Sequence, residues 1–598
     1  MREFSVPALY DVPPDGNLTQ VVVRNAAEFP DRAVLARKVS GQWRDVTAAA
    51  FLTEVRAVAK GLIASGVQPG DRVALMSRTR YEWTLLDYAI WAAGGVSVPV
   101  YETSSAEQVE WVIGDSGSVA CVVETEVHQG IVEQVRERVP LMKNVWQIEA
   151  GGVDELVALG TDVTEDQVDE RIASAGADSL ATIVYTSGTT GRPKGCVLTH
   201  RNFLAECGNT IARMKPIFAE DSSVLLFLPL AHVLGRVVEI GAMMAPVKLG
   251  HVSDIKDITA ELASFRPTFL LGVPRVFEKV YNSARAQARS TGKGKIFDQA
   301  VDTAIEYSRA LETSSGPGFP LRLRHKLFDR LVYGKLRAVL GGRARHAISG
   351  GAPLGERLGH FYRGLGFTVL EGYGLAESCA ATTLNPWDRQ KIGTVGLPLP
   401  CSTVRIAEDG EVLLQGEHLF GGYWNNEEAT AASLVDGWFH TGDLGSLDDE
   451  GYLRITGRKK EIIVTAGGKN VAPAVIEDRI RAHALIAECM VVGDGKPFVA
   501  ALVTIDEEFL PRWAEQNGKP EGASLAELRD DPELLAEIQS AVDDGNAAVS
   551  KAESVRKFRI LDHQFTMDSG HLTPSLKLKR NVVLRDFADE IEALYTSR

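Results

Sequence analysis

Cysteine is scarce in this sequence and is never arranged for metal or redox chemistry. The six residues Cys121, Cys196, Cys207, Cys379, Cys401 and Cys489 include no C-x-x-C pair and no metal-type spacing. That excludes a disulfide framework and a zinc site, and points to a reducing compartment with mostly buried thiols. Long apolar runs are missing as well. The most apolar stretch, Val224 to Gly235, contains Pro229 and His232 and is followed by Arg236 and Glu239. A spanning helix needs about 20 apolar residues, so this stretch reads as core or pocket lining. The opening residues Met1 to Pro7 hold no apolar core of the signal-peptide kind, and neither end carries a lipidation signal. The expected location is cytoplasmic, with any bilayer contact peripheral. Positive charge is in deficit, 64 Lys and Arg against 79 Asp and Glu, for a net charge of −15. Such a chain lacks the basic footprint of a general nucleic-acid binder.

What is present is ordinary globular material: 598 residues, 45% hydrophobic and 24% charged, room for several domains. Short apolar runs such as Arg72–Met76, Val96–Val100, Val119–Val123 and Thr182–Tyr185 alternate with stretches of helical spacing such as Val46–Ser65 and Tyr81–Ala93. That alternation predicts α/β layers with largely parallel sheets. From Cys401 to Ile455 the texture changes to short strands between turn signals, predicting a small β-rich subdomain. A boundary is expected at Thr456–Lys460, before a last α+β piece containing strands near Met490–Val492 and Ala500–Ile505. Ser524–Glu553, with its acid pairs Asp530-Asp531 and Asp543-Asp544, reads as a charged, solvated helix.

The strongest chemical signal directly follows the strand Ala181–Tyr185. Thr186-Ser187-Gly188-Thr189-Thr190-Gly191-Arg192-Pro193-Lys194 is dense in glycine, hydroxyls and cations. Glycines let backbone N–H groups approach an anion, hydroxyls donate to its oxygens, and Arg192 and Lys194 offset its charge. This is not a Walker A loop, and no G-x-G-x-x-G occurs in the chain.

That loop resembles the phosphate loop of the AMP-forming adenylating enzymes, the superfamily of acyl-CoA synthetases, luciferases and peptide-synthetase adenylation domains. Further segments match in the right order: Leu228–Val233, Ser349–Leu354, Glu371–Glu377, Gly437–Asp443, Gly457–Glu461 and Leu572–Lys577. The resemblance spans nearly the whole chain. It implies a large N-terminal α/β domain of layered sheets (1–400) with a β-rich subdomain (401–457), and a smaller, mobile α+β C-terminal domain (458–598).

The resemblance also assigns roles. Thr186, Ser187, Gly188, Thr189, Thr190 and Lys194 would cradle ATP phosphates. Gly350, Gly351 and Ala352, with Glu371, Gly372, Tyr373 and Gly374, would enclose the adenine, Tyr373 offering its ring for stacking. Asp443 would accept from the ribose hydroxyls and Arg458 would contact ribose and phosphate. Glu377, acceptor-only when ionised, suits Mg2+ bridging to phosphate oxygens, with Thr186 beside it. His232 matches the residue that gates the acyl pocket, Lys460 the hinge, and Gly467, Gly468 and Lys469 the segment lining the CoA pantetheine path. Lys577 matches the adenylation lysine. One departure stands out: Ala376 occupies a position where the family usually carries Thr or Ser, a hydroxyl donor to the α-phosphate.

The implied activity is ATP-dependent conversion of a fatty acid to acyl-AMP with pyrophosphate release, followed by thioester formation with CoA. Val273–Lys279, Tyr101–Ser105 and Gly467–Pro473 look like the bacterial long-chain fatty acyl-CoA synthetases. Two other readings stay open at this point: a fatty acyl-AMP ligase loading a carrier protein, and a non-catalytic relative that binds acyl groups or nucleotides. Peripheral membrane contact for substrate uptake and a homodimer are also left open.

Overall fold

The structure, a computed structural model, describes residues 1–186, 192–573 and 577–596. A nine-stranded sheet is built on the parallel strands Ala33–Val39, Lys248–His251, Ser223–Leu226, Phe269–Gly272, His346–Ser349 and Thr368–Tyr373. Antiparallel strands close its two edges. A six-stranded sheet runs Asn144–Gln147, Ala120–Val123, Arg72–Met76, Val96–Val100 and Leu180–Thr186 in parallel, with Lys194–Thr199 antiparallel at the edge. The strand–helix alternation read from the sequence therefore has its expected outcome, and all six of the elements named from it fall within a few residues of their expected ends.

Helices between the sheets serve both as a shared core. The helix Tyr81–Ala92 is buried on every residue but Glu82, and the helix Val233–Met244 brings Arg236 against it. Arg236 binds the Asp87 carboxylate at 2.8 Å, with both side chains wholly buried. An ion pair this deep is tolerated because the two charges offset each other and the ring faces of Trp83 and Trp91 flank the guanidinium. The apolar run before it lies in the core, as expected of a stretch too short to span a bilayer. Among the described residues no helix is long and apolar enough to cross a membrane.

A third, antiparallel sheet combines Ser402–Ile406, Glu411–Gly416, Leu434–Val435, Trp438–Leu447 and Leu453–Arg458 with the far N-terminal strand Glu3–Val6. Beyond it, Ile486–Val492, Val499–Ile505 and Val555–Ile560 form a three-stranded sheet with its own hydrophobic cores, one around Ile476, Val491 and Ile538, the other around Met490, Leu502 and Val583. One local reading is refined here. The stretch Ser524–Glu553 is not one helix: it breaks into Leu525–Leu528 and Pro532–Asn546, because Pro532 has no N–H and suits a first helical position. Asp531 caps the second helix, accepting from the Glu533 and Leu534 N–H groups at 2.9 and 3.3 Å. Among the described residues, Leu572 bridges Leu578 beside Lys577, and a helix begins at Arg580.

Parallel strands that end on one edge deliver their loops to one place. Gly272, Ser349 and Tyr373 close neighbouring strands of the large sheet, and the segments that follow them form the floor of the site.

Candidate active site

Asp443 is its most tightly held group. The hairpin of Trp438–Leu447 and Leu453–Arg458 sets Asp443 opposite Arg458 in register. Arg458 Nε reaches Asp443 Oδ1 at 3.0 Å, while the Tyr373 hydroxyl donates to Oδ2 at 2.6 Å. Thr441 Oγ1 accepts from the Asp443 N–H at 3.0 Å and donates to the Val412 carbonyl at 2.7 Å, which fixes the backbone beneath the carboxylate. Asp443 is only 3% exposed. Burial first, and then the Asp443 charge, push the Tyr373 hydroxyl far above its ordinary range, so it stays a donor. Burial works against the charge on Arg458, but Asp443 and Glu461 outweigh it. The result is a desolvated carboxylate with lone pairs left for further donors.

Glu377 sits on the short turn Ala376–Ser378, held where the Ser378 hydroxyl accepts from the Leu375 N–H at 2.9 Å. Its Oε1 accepts from the Tyr423 hydroxyl at 2.8 Å, and Lys194 Nζ lies 4.9 Å from the centre of the Tyr423 ring. One aromatic side chain thus joins the acidic turn to the cationic end of the glycine-rich loop. Thr186 and Lys194 pair at the mouth of that loop, and the Trp111 indole N–H donates to the Pro193 carbonyl at 2.8 Å, pinning its far end. Ser187, Gly188, Thr189 and Thr190 lie outside the described residues. Among the described residues no three His, Cys, Asp or Glu side chains gather to hold a metal. A single carboxylate with a nearby hydroxyl fits a magnesium ion that arrives on nucleotide phosphates, the usual way Mg2+ is held, better than a resident ion caged by protein.

The loop after His346–Ser349 gives Gly350 buried and Gly351 and Ala352 exposed. Gly351 has φ +84°, a backbone region that glycine enters without strain. Glu371 lies beneath this loop and its Oε1 accepts from the Leu354 N–H at 2.9 Å. Burial raises the Glu371 carboxyl to about 7. Its placement is that of a strut under the loop. Gly374 is required for close approach: a Cβ there would meet the Ala380 carbonyl oxygen at 1.8 Å. Gly372 sits beside the Thr383 carbonyl in the same way, at 2.9 Å. His232 caps the helix Val233–Met244, its Nδ1 accepting from the Leu234 N–H at 3.1 Å. Burial, reinforced by the positive charge of Lys577, lowers its pKa to about 4, so its ring is neutral at physiological pH.

Lys577 completes the constellation. Its N–H donates to Thr573 Oγ1 at 3.0 Å and its carbonyl accepts from the Thr573 N–H at 2.8 Å, which ties its backbone to Thr573. The residue is exposed, yet His232, Arg458, Asp443, Glu377 and Glu461 lie close enough for its charge to act on them or theirs on it. Desolvation and then Arg458 lower its pKa, against the pull of Asp443 and Glu377. The structure therefore gathers Lys577, Glu377, Asp443, Arg458 and His232 within electrostatic reach of one another.

It does not bring in Gly467, Gly468 or Lys469. They form the exposed tip of the hairpin between Ile463–Val464 and Asn470–Val471, with Lys469 Nζ 3.4 Å from Glu553. Lys460 lies exposed on the turn Lys459–Glu461, directly after Arg458. The two parts of the chain also meet through ion pairs, half-exposed Arg275 with buried Glu488 at 3.4 Å and exposed Lys279 with Glu508 at 3.0 Å. The exposed Lys279–Glu508 pair contributes little, about 0–1 kcal/mol.

Several contributors escape sequence reasoning. Tyr423, Thr441 and Trp111 act through contacts with residues 46, 29 and 82 positions away. The aromatic cluster Gly421-Gly422-Tyr423-Trp424 is the one local signal that could have pointed to Tyr423.

Ala376 is half-buried at the start of the Glu377 turn. Ala376→Thr is expected to raise the adenylation rate by less than about tenfold, roughly 1.4 kcal/mol, since one neutral hydrogen bond contributes about 0.5–1.5 kcal/mol. Rates of pyrophosphate release for the two proteins check this. A large loss with the fold intact would show that the pocket is built around the alanine.

A family model described as AMP-binding enzyme matches residues 22–424, and one described as AMP-binding enzyme C-terminal domain matches residues 460–598. The chain belongs to the AMP-binding enzymes. It is 51% identical over 598 residues to the long-chain-fatty-acid–CoA ligase FadD15 of Mycobacterium bovis, covering 100% of both chains. Its fold is similar to that of the A domain of the carboxylic acid reductase from Segniliparus rugosus in complex with AMP and a co-purified carboxylic acid. There the TM-score is 0.73 at 20% identity, covering 97% of this chain and 94% of that one. It is also similar to ATP-bound MatB from Rhodopseudomonas palustris, with a TM-score of 0.69 at 25% identity, covering 96% of this chain and 100% of that one.

Proposed function

We propose that this chain is a long-chain fatty acid–CoA ligase that forms acyl-AMP and then acyl-CoA. The observation that carries this reading is the gathering of Lys577, Glu377, Asp443 and Arg458 within electrostatic reach of one another, in a chain that matches long-chain-fatty-acid–CoA ligases end to end.

In the first half-reaction the fatty acid is already a carboxylate at neutral pH, so no base is needed. A carboxylate oxygen attacks the α-phosphorus of ATP, the bond to the β-phosphate oxygen breaks, and pyrophosphate leaves with its electron pair. The barrier is electrostatic, because two anions must meet. ATP arrives as its magnesium complex, and the ion supplies charge neutralisation at the phosphates. Asp443 accepts from the ribose hydroxyls, Tyr373 and Gly350–Ala352 enclose the base, and Glu377 with Thr186 orients the phosphate end. Lys194 and Lys577 bring positive potential to the transferring group. Neutral His232 stands at the acyl side without adding a competing charge.

In the second half-reaction the CoA sulfur attacks the acyl carbon, its thiol proton passes to solvent, and the C–O bond to AMP breaks. For this the domain from residue 458 onward turns about Lys460 relative to the large domain and its β-rich part (401–457). Lys577 withdraws, and Gly467, Gly468 and Lys469 come in along the pantetheine path.

Catalytic efficiency is expected to rise with acyl chain length towards about C16–C18, since each buried CH2 contributes roughly 0.8 kcal/mol until the tunnel ends. A kcat/KM series from acetate to long-chain acids checks this. A maximum at acetate or at an aromatic acid would overturn the fatty-acid assignment while leaving adenylation intact.

A further inference from the structure

The chain is acidic overall, but one surface is not. Between Phe319 and Val339 the only acidic residue is Asp329, against Arg322, Arg324, Lys326, Arg330, Lys335 and Arg337. This segment forms a continuous helical rod: Phe319–Phe328, a π-helical turn Asp329–Tyr333, and Gly334–Val339. At 1.5 Å per residue it is about 30 Å long.

Its inner face is well anchored. Phe328 and Tyr333 are buried, the Tyr333 hydroxyl donates to the Ala300 carbonyl at 2.7 Å, and the His325 ring stacks on Tyr307 at 3.8 Å. Its outer face is apolar where solvent should favour polar groups. Phe319 is 78% exposed, Leu323 62%, Leu327 57% and Leu331 47%. Four-residue spacing makes them a stripe along one side of the helix. The wider π-turn checks the slow drift of such a stripe around the helix, and exposed Val339 extends it. Large apolar side chains recurring at this spacing on an outer face are not the scattered exposed residues of an ordinary surface.

The flanking charge selects the occupant. Arg324 pairs with Glu306 and Arg337 with Asp329, but Lys326, Arg330 and Lys335 form no ion pair among the described residues. An apolar stripe bordered by unpaired cations on an anchored helix is the arrangement of an element that lies in a membrane interface, apolar side chains among acyl chains and ammonium and guanidinium groups at phosphates. The far end of the rod leads inward: Val339 and Leu340 line a small apolar cavity with Leu262, Leu270, Val276 and Phe277. Leu270 lies on the strand Phe269–Gly272, whose end opens onto the candidate active site.

We propose that the rod Phe319–Val339 docks this protein, in the plane of the interface, onto bilayers containing anionic lipid. This rests on the fatty-acid reading only for its purpose, which is to collect a substrate that partitions into bilayers. The surface itself is argued from exposure and charge.

The test compares the full-length protein with Leu323→Asp/Leu327→Asp and with Lys326→Glu/Arg330→Glu/Lys335→Glu. Each is sedimented with phosphatidylcholine vesicles, with or without phosphatidylglycerol, at low and high salt. The wild type is expected to bind the anionic vesicles, with binding weakened by salt and by about tenfold or more in both variants. Circular dichroism and the rate on a soluble medium-chain acid should be unchanged. Wild-type protein that stays in the supernatant with both lipids, or variants that bind as it does, would overturn the proposal. So would a wild-type dimer that the Leu323/Leu327 variant converts to monomer without any vesicle binding, because the stripe would then face a second copy. Vesicle binding without any acyl-CoA synthesis would instead sink the catalytic reading and leave the surface standing.

Discussion

Lys577→Ala is expected to lower acyl-adenylate formation by about 10²-fold or more, a few kcal/mol of transition-state stabilisation. Thioester formation from supplied acyl-AMP and CoA should be nearly untouched. The asymmetry follows from placement. Lys577 stands within electrostatic reach of Glu377, Asp443 and His232 only because the C-terminal part is docked as it is here. Its ammonium meets charge that develops during attack on the α-phosphorus, and the same rotation that admits CoA carries it away. Desolvation and Arg458 lower its pKa, so the alkaline fall in adenylation rate should come below the ordinary lysine range and should move upward in Lys577→Arg. Single-turnover measurement of each half-reaction separates these outcomes. Equal impairment of both would contradict the two-orientation account.

The second large effect is expected at Asp443. Asp443→Ala removes the acceptor for the Tyr373 hydroxyl and the partner of Arg458 together. It also removes the proposed acceptor of the ribose hydroxyls. Hydrogen bonds to a charged group contribute about 1.5–3 kcal/mol each, so kcat/KM for ATP should fall by about 10²-fold or more, chiefly through a raised KM. Asp443→Asn, which keeps one carbonyl acceptor, should lose less. A sharper readout is 2′-deoxy-ATP: the wild type should discriminate against it, and Asp443→Ala should not. An unchanged KM for ATP in Asp443→Ala, with the fold intact by circular dichroism, would remove the ribose role.

The site was legible in sequence where its chemistry is local. The roles of Glu371–Glu377, Asp443 and Arg458 came only through the resemblance of their segments to a known family, whereas the glycine-rich loop is a short run whose residue types suggest an anion. The large sheets were legible for the same reason, since buried parallel strands are compact apolar runs between helical stretches. What stayed hidden depends on partners far along the chain. Glu3–Val6 carries no pattern saying that it pairs with Ser402–Ile406, and the short Val555–Ile560, alternating apolar with Arg and Lys, gives little sign that it joins Val499–Ile505. Tyr423 is one aromatic among several until the fold sets it against Glu377. In the Ser524–Glu553 region the error was local. Composition showed a helical stretch, and the breaker Pro532 with its cap Asp531 was read as part of its charged face. The Phe319–Val339 rod passed unremarked because its leucines fit a buried stripe as well as an exposed one, and only the packing of Phe328 and Tyr333 says which side faces inward.

The central claim is that this site makes acyl-AMP in one orientation of the chain and acyl-CoA in another. Pyrophosphate release from ATP and oleate, followed in time without and then with CoA, tests it most directly. The account expects a burst of about one pyrophosphate per enzyme without CoA, because tightly held acyl-AMP blocks the site. Adding CoA should then start steady turnover that yields acyl-CoA and AMP in equal amounts. Release of ADP, or the absence of any pyrophosphate until CoA is present, would contradict it.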